Sequence, residues 1–200
     1  MELRVENLCK SYGGQPVLDR VSFTAGPGIT CLMAPSGGGK TTLLRIILGL
    51  ERADSGTIRG LEGKRFSAVF QEDRLLEQRT ARGNLRFVLG PAYDEAGADA
   101  LLAELGLGDV GEKPVRDFSG GMKRRLALCR ALLAPGDILL LDEPFTGLDG
   151  ENRRRALDCV RRYAAGKPVL LVTHDHADAE GARVVELQKS LVKDKETVIQ

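Results

Sequence analysis

Two hundred residues suit one domain with room for a subdomain. Lys and Arg number 29 against 28 for Asp and Glu, a net charge of +1, which argues against a nucleic-acid binder driven by bulk charge. No apolar run approaches the roughly 20 residues that span a bilayer, and Met1 to Lys10 mixes polar and apolar residues, so neither a membrane span nor a signal peptide is expected. Cys9, Cys31, Cys129 and Cys159 show no paired spacing and read as reduced thiols of a cytosolic protein.

From the amino terminus, Leu3, Val5, Val17, Val21 and Phe23 alternate with polar residues around an SYGGQ turn. Period-two alternation predicts half-buried antiparallel strands up to Gly28. Tyr12 sits at the turn, as a plain turn residue or as an aromatic able to lie over a purine ring. Ile29 to Leu50, ITCLMAPSGGGKTTLLRIILGL, then reads as strand, tight loop and helix. Ile29, Cys31, Leu32 and Met33 form a short apolar run suited to a buried parallel strand. Pro35, Gly37, Gly38 and Gly39 exclude regular structure, and Leu43, Leu44, Ile46, Ile47 and Leu48 predict a helix closed by Gly49. Successive glycines let backbone N–H groups converge on one point, and a helix N-terminus adds further donors and a positive dipole end. Lys40 contributes a cation, and the Thr41 hydroxyl can ligate Mg²⁺. This is a cradle for a triphosphate, the Walker A loop, built from Pro35, Ser36, Gly37, Gly38, Gly39, Lys40, Thr41 and Thr42. The pattern expects Gly where Ala34 stands, so Ala34 should end the strand at negative φ.

Thr57 to Phe70 reads as further strand leading to Gln71. A polar group leaving that strand, if it lies beside the strand feeding the cradle, points at bound phosphates. Gln71 could there ligate Mg²⁺ and order an attacking water. Leu75 to Leu107 carries a helical pattern, with Leu85, Phe87, Val88 and Leu89 in one group and Leu101, Leu102 and Leu105 in another. With no strand between them, a helical subdomain inserted at about 73–133 is expected.

Within FSGGMKRRLALCRALL, Phe118 to Leu133, Ser119 is a good N-cap, and Gly120 and Gly121 free the backbone to approach a ligand. An exposed Ser-Gly-Gly at a helix start is a second phosphate site. Met122, Leu126, Cys129 and Leu133 should line the inner face, with Lys123, Arg124 and Arg125 on a solvated face. The run DILLLDEP follows, Asp137 to Pro144. Its continuous apolar stretch predicts a central parallel strand ending in two carboxylates. Asp142 can hold Mg²⁺ and Glu143 can polarise a water for attack on a γ-phosphate. Asp149 is the expected N-cap of a helix over Glu151 to Ala165, whose Arg153, Arg154, Arg155, Arg161 and Arg162 read as its outer face. PVLLVT, Pro168 to Thr173, is one more buried strand with His174 at its end, placed to contact the γ-phosphate. A short helix over Asp175 to Gly181, a strand over Val184 to Leu187 and a loosely ordered tail from Lys189 complete the reading.

Taken in this order, Tyr12, the loop Ala34 to Thr41, Gln71, Ser119 to Gly121, Asp142 with Glu143, Asp149 and His174 resemble the nucleotide-binding subunit of an ABC transporter over essentially the whole chain. The resemblance implies an α/β fold: a P-loop NTPase core with a parallel sheet, an N-terminal antiparallel β subdomain and an inserted helical subdomain, all one ABC-type ATPase domain over 1–200. It implies ATP and Mg²⁺ as cofactors, with Thr41, Gln71 and Asp142 at the metal and Glu143, His174 and Gln71 in catalysis. Tyr12 would stack on adenine, and Asp149 would form the D-loop. Two subunits, most simply two copies of this chain, would pair head to tail. Each ATP would then lie between one copy's Walker A and the other's Ser119, Gly120 and Gly121. The other implied partners are an integral membrane permease and, in importers, a solute-binding protein, with no nucleic acid; the chain would sit on the cytoplasmic face of the cell membrane.

Phe118 and Met122 depart from the family's Leu and Gln around Ser-Gly-Gly, and no C-terminal regulatory domain of the kind some importers carry is expected. Leu75 to Leu85, LLEQRTARGNL, is similar to the same region of importers for nitrate, sulfonates and taurine. The competing readings are a soluble ABC ATPase acting on DNA or ribosomes and a non-hydrolysing regulatory module. Balanced charge opposes the first, and the presence of Glu143 and His174 opposes the second.

Overall fold

The computed structural model describes residues 2–35 and 37–187. The tail expected from Lys189 onward lies outside the described residues. Alternation in the first 25 residues becomes a hairpin of β1, Leu3–Tyr12, and β2, Gln15–Ala25. Leu3, Val5, Leu8, Leu18, Val21 and Phe23 turn inward from it. Alternation holds from Leu3 to Val5 and from Val21 to Phe23, but register shifts after Val5 and after Leu8 break the period of two, and Leu18 takes the buried place expected of Val17. A further strand, β4 (Ser55–Arg59), pairs with the other edge of β1, giving an antiparallel sheet in the order β2-β1-β4.

The second sheet is parallel throughout and runs β5-β6-β7-β3-β8. Its strands are β3 (Gly28–Met33), β5 (Phe66–Val69), β6 (Ile138–Asp142), β7 (Pro168–Thr173) and β8 (Arg183–Glu186). Every residue of β6 and β7 is buried, because both faces of the sheet are covered. Leu32, Ile138, Leu140, Leu170 and Val172 face helix α1 (Lys40–Ile47) and the antiparallel sheet. Cys31, Met33, Leu139, Leu141, Val169 and Leu171 face the opposite way into the larger core. That core also takes in α2 (Ala81–Leu89), α3 (Glu95–Glu104), α4 (Gly120–Leu133) and α5 (Gly150–Tyr163). Each leucine so enclosed contributes roughly 1.5–3 kcal/mol of transfer free energy.

Several expectations are corrected. The strand ending before Gln71 is not beside the strand feeding the glycine loop: β5 is the sheet edge, separated from β3 by β6 and β7. Parallel order is decided by crossover packing, which local sequence does not encode. The stretch from Leu75 is not continuous helix. Residues 75–79 are irregular, α2 begins only after the N-cap Thr80, and a 3-10 turn over Gly90–Ala92 follows it. Phe87 and Val88 do not join Leu85 and Leu89 in the core; Phe87 is 72% exposed. The short helix after His174 is a 3-10 turn over His176–Ala179.

Arg124 and Arg125 are buried, not solvated. Helix α4 is enclosed around most of its girth, with Leu126, Ala127, Leu128, Cys129, Ala131 and Leu132 all inside, so polar residues on it are drawn in too. Arg125 Nη1 lies among three acceptors, the Leu105 and Gly106 carbonyl oxygens and Asn152 Oδ1, at 2.7–3.0 Å, and Nε donates to the Gly121 carbonyl at 3.3 Å. Arg153 likewise leaves the outer face of α5 to pair with Asp178.

Candidate active site

Helix α1 starts with no side chain capping its N-terminus; its N-cap is Gly39 at φ 78°. A Cβ at Gly39 would lie 2.6 Å from Leu18 Cδ2 and 2.7 Å from the Val17 carbonyl oxygen. At Gly38 it would meet the Ala34 Cβ at 2.7 Å. The loop therefore demands glycine for space as well as for torsion. Ala34 is absent from the residues at positive φ, in line with the expectation that it ends the strand there. Tyr12, Val17, Gly37, Gly38, Gly39, Lys40, Thr41 and Thr42 line one cavity of about 230 Å³ beside this helix start. The fit to a polyphosphate rests on that glycine-only cradle opening onto an uncapped helix N-terminus. Ser36 lies outside the described residues.

Strands β3, β6 and β7 deliver the remaining groups to the same end. Lys40 Nζ donates to the Ala34 carbonyl at 2.6 Å and stands 3.9 Å from Glu143 Oε1. Thr41 Oγ1 donates to Asp142 Oδ2 at 3.4 Å. Asp142 is buried at the end of β6, and burial, then the neighbouring Glu143 charge, raises its carboxyl above the usual range. Two hard oxygens meeting there, one on a carboxylate reluctant to ionise alone, suit a divalent cation such as Mg²⁺. Gln71 shares a cavity of about 440 Å³ with Thr41 and Asp142.

Glu143 adopts φ 50°, with its N–H bonded to the Val172 carbonyl at 2.9 Å. This turn directs its carboxylate to His174, whose Nδ1 lies 3.0 Å from both carboxylate oxygens. Asp178, bound to Thr173 Oγ1 at 2.7 Å and to Arg153, braces the chain on either side of His174. An arginine repeat with a helical face gave no sign of that role.

Residues 18–146 match the family model described as ABC transporter, well over half of the chain. The chain belongs to the ABC transporter family. The aliphatic sulfonates import ATP-binding protein of Pseudomonas syringae pv. syringae is 37% identical over 182 residues, 90% of this chain and 76% of that protein. Its counterpart in Rhodococcus jostii is 41% identical over 175 residues, 84% and 71% of the two chains. A Nod factor export ATP-binding protein from Paraburkholderia xenovorans is 38% identical over 196 residues, 89% and 64%. A solved structure, that of an ATP binding subunit of an ABC transporter, aligns at TM-score 0.82 and 28% identity, covering 94% of this chain and 87% of the other. The protein is an ATP-binding subunit of that family, an ATPase coupled to transport, and it has the P-loop NTPase fold. No helix among the described residues is long and apolar enough to cross a membrane.

In this ABC ATPase the sequence-predicted residues fall into two groups. Tyr12, the glycine loop, Lys40, Thr41, Gln71, Asp142, Glu143 and His174 gather around the start of α1. The Tyr12 hydroxyl is held by Glu51, and Lys10 Nζ lies 5.5 Å from its ring centroid. Ser119, Gly120 and Gly121 line neither cavity that touches Lys40 or Thr41. They start α4, where Ser119 Oγ accepts from Met122 N at 3.3 Å. A Cβ on Gly121 would reach the Gly147 carbonyl at 3.3 Å, so this Ser-Gly-Gly lies against the turn leading to Asp149. Asp149 caps α5 through the N–H groups of Glu151 and Asn152. Cys9, Cys31, Cys129 and Cys159 are all free; burial pushes the Cys31 thiol up to about 11, which removes it from thiolate chemistry.

Proposed function

We propose that this ATPase works as a head-to-tail pair, most simply of two copies, on the cytoplasmic face of a membrane, driving a small solute through a separate permease. The observation that carries this reading is the two-centre layout: one glycine-cradled site with Lys40, Asp142, Glu143 and His174 around it, and a second Ser-Gly-Gly helix start, against the turn at Gly147, that lines no cavity with Lys40 or Thr41. A lone subunit has no evident use for the second; a head-to-tail pair brings Ser119, Gly120 and Gly121 onto the partner's nucleotide.

In the first site, the loop from Pro35 to Thr42 would receive the phosphates and Lys40 would neutralise their charge. Thr41, Asp142 and Gln71 would hold Mg²⁺, which supplies charge neutralisation on the phosphates. Glu143 takes the proton of the attacking water, and His174, tied to both its oxygens, holds that carboxylate in place. Tyr12 offers a ring face to adenine. The whole of 1–200 acts as one ABC-type ATPase domain with the helical part at about 73–133 inserted. Nearness to sulfonate import proteins favours a small anionic solute of that kind and, with import, a solute-binding protein. The permease would dock beside the Gln71 cavity, where Leu48, Leu50 and Phe70 supply apolar wall. Steady-state ATPase of the purified chain tests the reading, with a Glu143→Gln variant run under saturating MgATP on gel filtration. Loss of turnover together with an ATP-stabilised dimer is expected; equal turnover, or a monomer at all protein concentrations, overturns it.

A further inference from the structure

Arg124 and Arg130, both on α4, set their guanidinium groups against the backbone that follows β5. Arg124 donates to the Phe70 carbonyl at 2.6 Å and to the Gln71 carbonyl at 2.8 Å. Arg130 donates to the Asp73 carbonyl at 2.8 Å and the Arg74 carbonyl at 2.6 Å. Asp73 adds an ion pair, its Oδ1 3.0 Å from Arg124 Nη1 though not aligned as a hydrogen bond. Arg74 bends the chain here at φ 48°, and its own guanidinium lies 4.2 Å over the Phe70 ring.

Burial makes these contacts demanding. The Arg124 side chain is only 8% exposed. A guanidinium taken out of water is costly unless its donors are filled, so the loop cannot leave without stranding a buried charge. Planar forks suit paired acceptors in a way an ammonium does not. Because the acceptors are carbonyls, the clamp leaves the side chains of Gln71, Glu72 and Arg74 to line the cavity they share with Thr41 and Asp142. The next stretch is tied to the segment leading into and along α4 as well. Lys123 Nζ meets Glu77 Oε1 at 2.7 Å, and the N–H groups of Val115 and Arg116 donate to the Arg79 and Glu77 carbonyls at 2.9 Å.

We propose that Arg124 and Arg130 are positioning residues for ATP hydrolysis: they fix the Gln71 loop to α4, so that Gln71 moves with Ser119, Gly120 and Gly121 at the start of that helix. The proposal rests on the reading of Gln71 as a group acting at the nucleotide. Helix α4 is one uninterrupted element of 14 residues, stiff enough to carry a displacement of its N-terminus to the guanidinium groups one and three turns along. A partner's nucleotide engaging Ser119 would thereby be registered at Gln71 of the first site.

The test uses the full chain with Arg124→Lys, Arg130→Lys and Gln71→Ala. For each, kcat and KM for MgATP, the unfolding midpoint, and amide hydrogen exchange over residues 70–76 are measured. Lysine keeps the charge and loses the fork. Both lysine variants are expected to raise exchange over residues 70–76 at least tenfold, with exchange in α1 unchanged, and to lower kcat at least fivefold with KM within twofold. Should Arg124→Lys lose its fold, the less buried Arg130→Lys decides. Wild-type exchange over residues 70–76 overturns the clamp. Raised exchange with unchanged kcat, while Gln71→Ala is slow, overturns the positioning role. A Gln71→Ala variant with full kcat overturns the reading of Gln71 and the positioning role with it, while exchange still reports on the clamp alone.

Discussion

His174 Nδ1 stands 3.0 Å from both carboxylate oxygens of Glu143, although the two residues leave different strands of the sheet. The imidazole is thereby committed to one carboxylate and keeps Nε2 for whatever lies beyond. Removing the carboxylate while preserving shape should separate binding from chemistry. Glu143→Gln is expected to lower single-turnover hydrolysis by about 10²–10⁴-fold with ATP affinity kept, and His174→Ala by a smaller factor, about 10²-fold. Rapid-quench measurement of the γ-phosphate released, beside equilibrium ATP binding, checks both.

The backbone of Glu143 supplies a second prediction. At φ 50° a side chain with a Cβ is held at a cost of roughly 1–2 kcal/mol. Of two inactive variants, Glu143→Gly should therefore be more stable than Glu143→Ala by about 1 kcal/mol. In thermal unfolding that is a difference of about 2–4 °C for a chain of this size. Equal midpoints would show the turn to be relaxed.

Asp142 predicts a pH effect. Burial, followed by the Glu143 charge, raises its folded-state pKa above the unfolded value. Between the two values the native state holds a proton that the unfolded chain has lost, so this group's contribution to stability falls as pH rises through that window. Above it, the buried charge is a standing cost. Asp142→Asn should raise the nucleotide-free midpoint at neutral pH, an advantage that vanishes in acid, while ATPase activity is lost. Scanning calorimetry at acid and neutral pH reads this directly; a lowered midpoint at neutral pH would contradict it.

Gly39 and Gly37 share a positive φ but not their surroundings. A methyl group at Gly39 collides with Leu18 and Val17, whereas at Gly37 it meets nothing within 4 Å. Gly39→Ala should cost about 2 kcal/mol or more and abolish ATP binding. Gly37→Ala should cost only about 1 kcal/mol of torsional strain. Chemical denaturation of the two variants, side by side, distinguishes space from torsion as the reason for glycine.

Much of this protein was legible in its sequence because its elements obey local rules. Short continuous apolar runs at Ile138 to Leu141 and Pro168 to Thr173, too brief for a helix and flanked by Gly and Pro, mark strands buried on both faces, and both are. Ser119 and Asp149 announce helix starts because their short side chains accept the first N–H groups, and both do so. The glycines before Lys40 state that backbone must turn where side chains cannot fit. Such signals need no distant neighbour.

What the tertiary structure alone decided was adjacency and burial of polar groups. Strand order put β5 at the sheet edge, so Gln71 reaches the site across a cavity and not from a neighbouring strand. Arg124, Arg125 and Arg153 have the composition of a solvent face, yet each is drawn inward by carbonyls or carboxylates far away in the chain. Periodicity reports how apolar a helix face is; it carries no information about which distant acceptor will meet a guanidinium. Exposure of Phe87 has the same origin: an apolar side chain is buried only if something packs over it, and in this chain nothing among the described residues does.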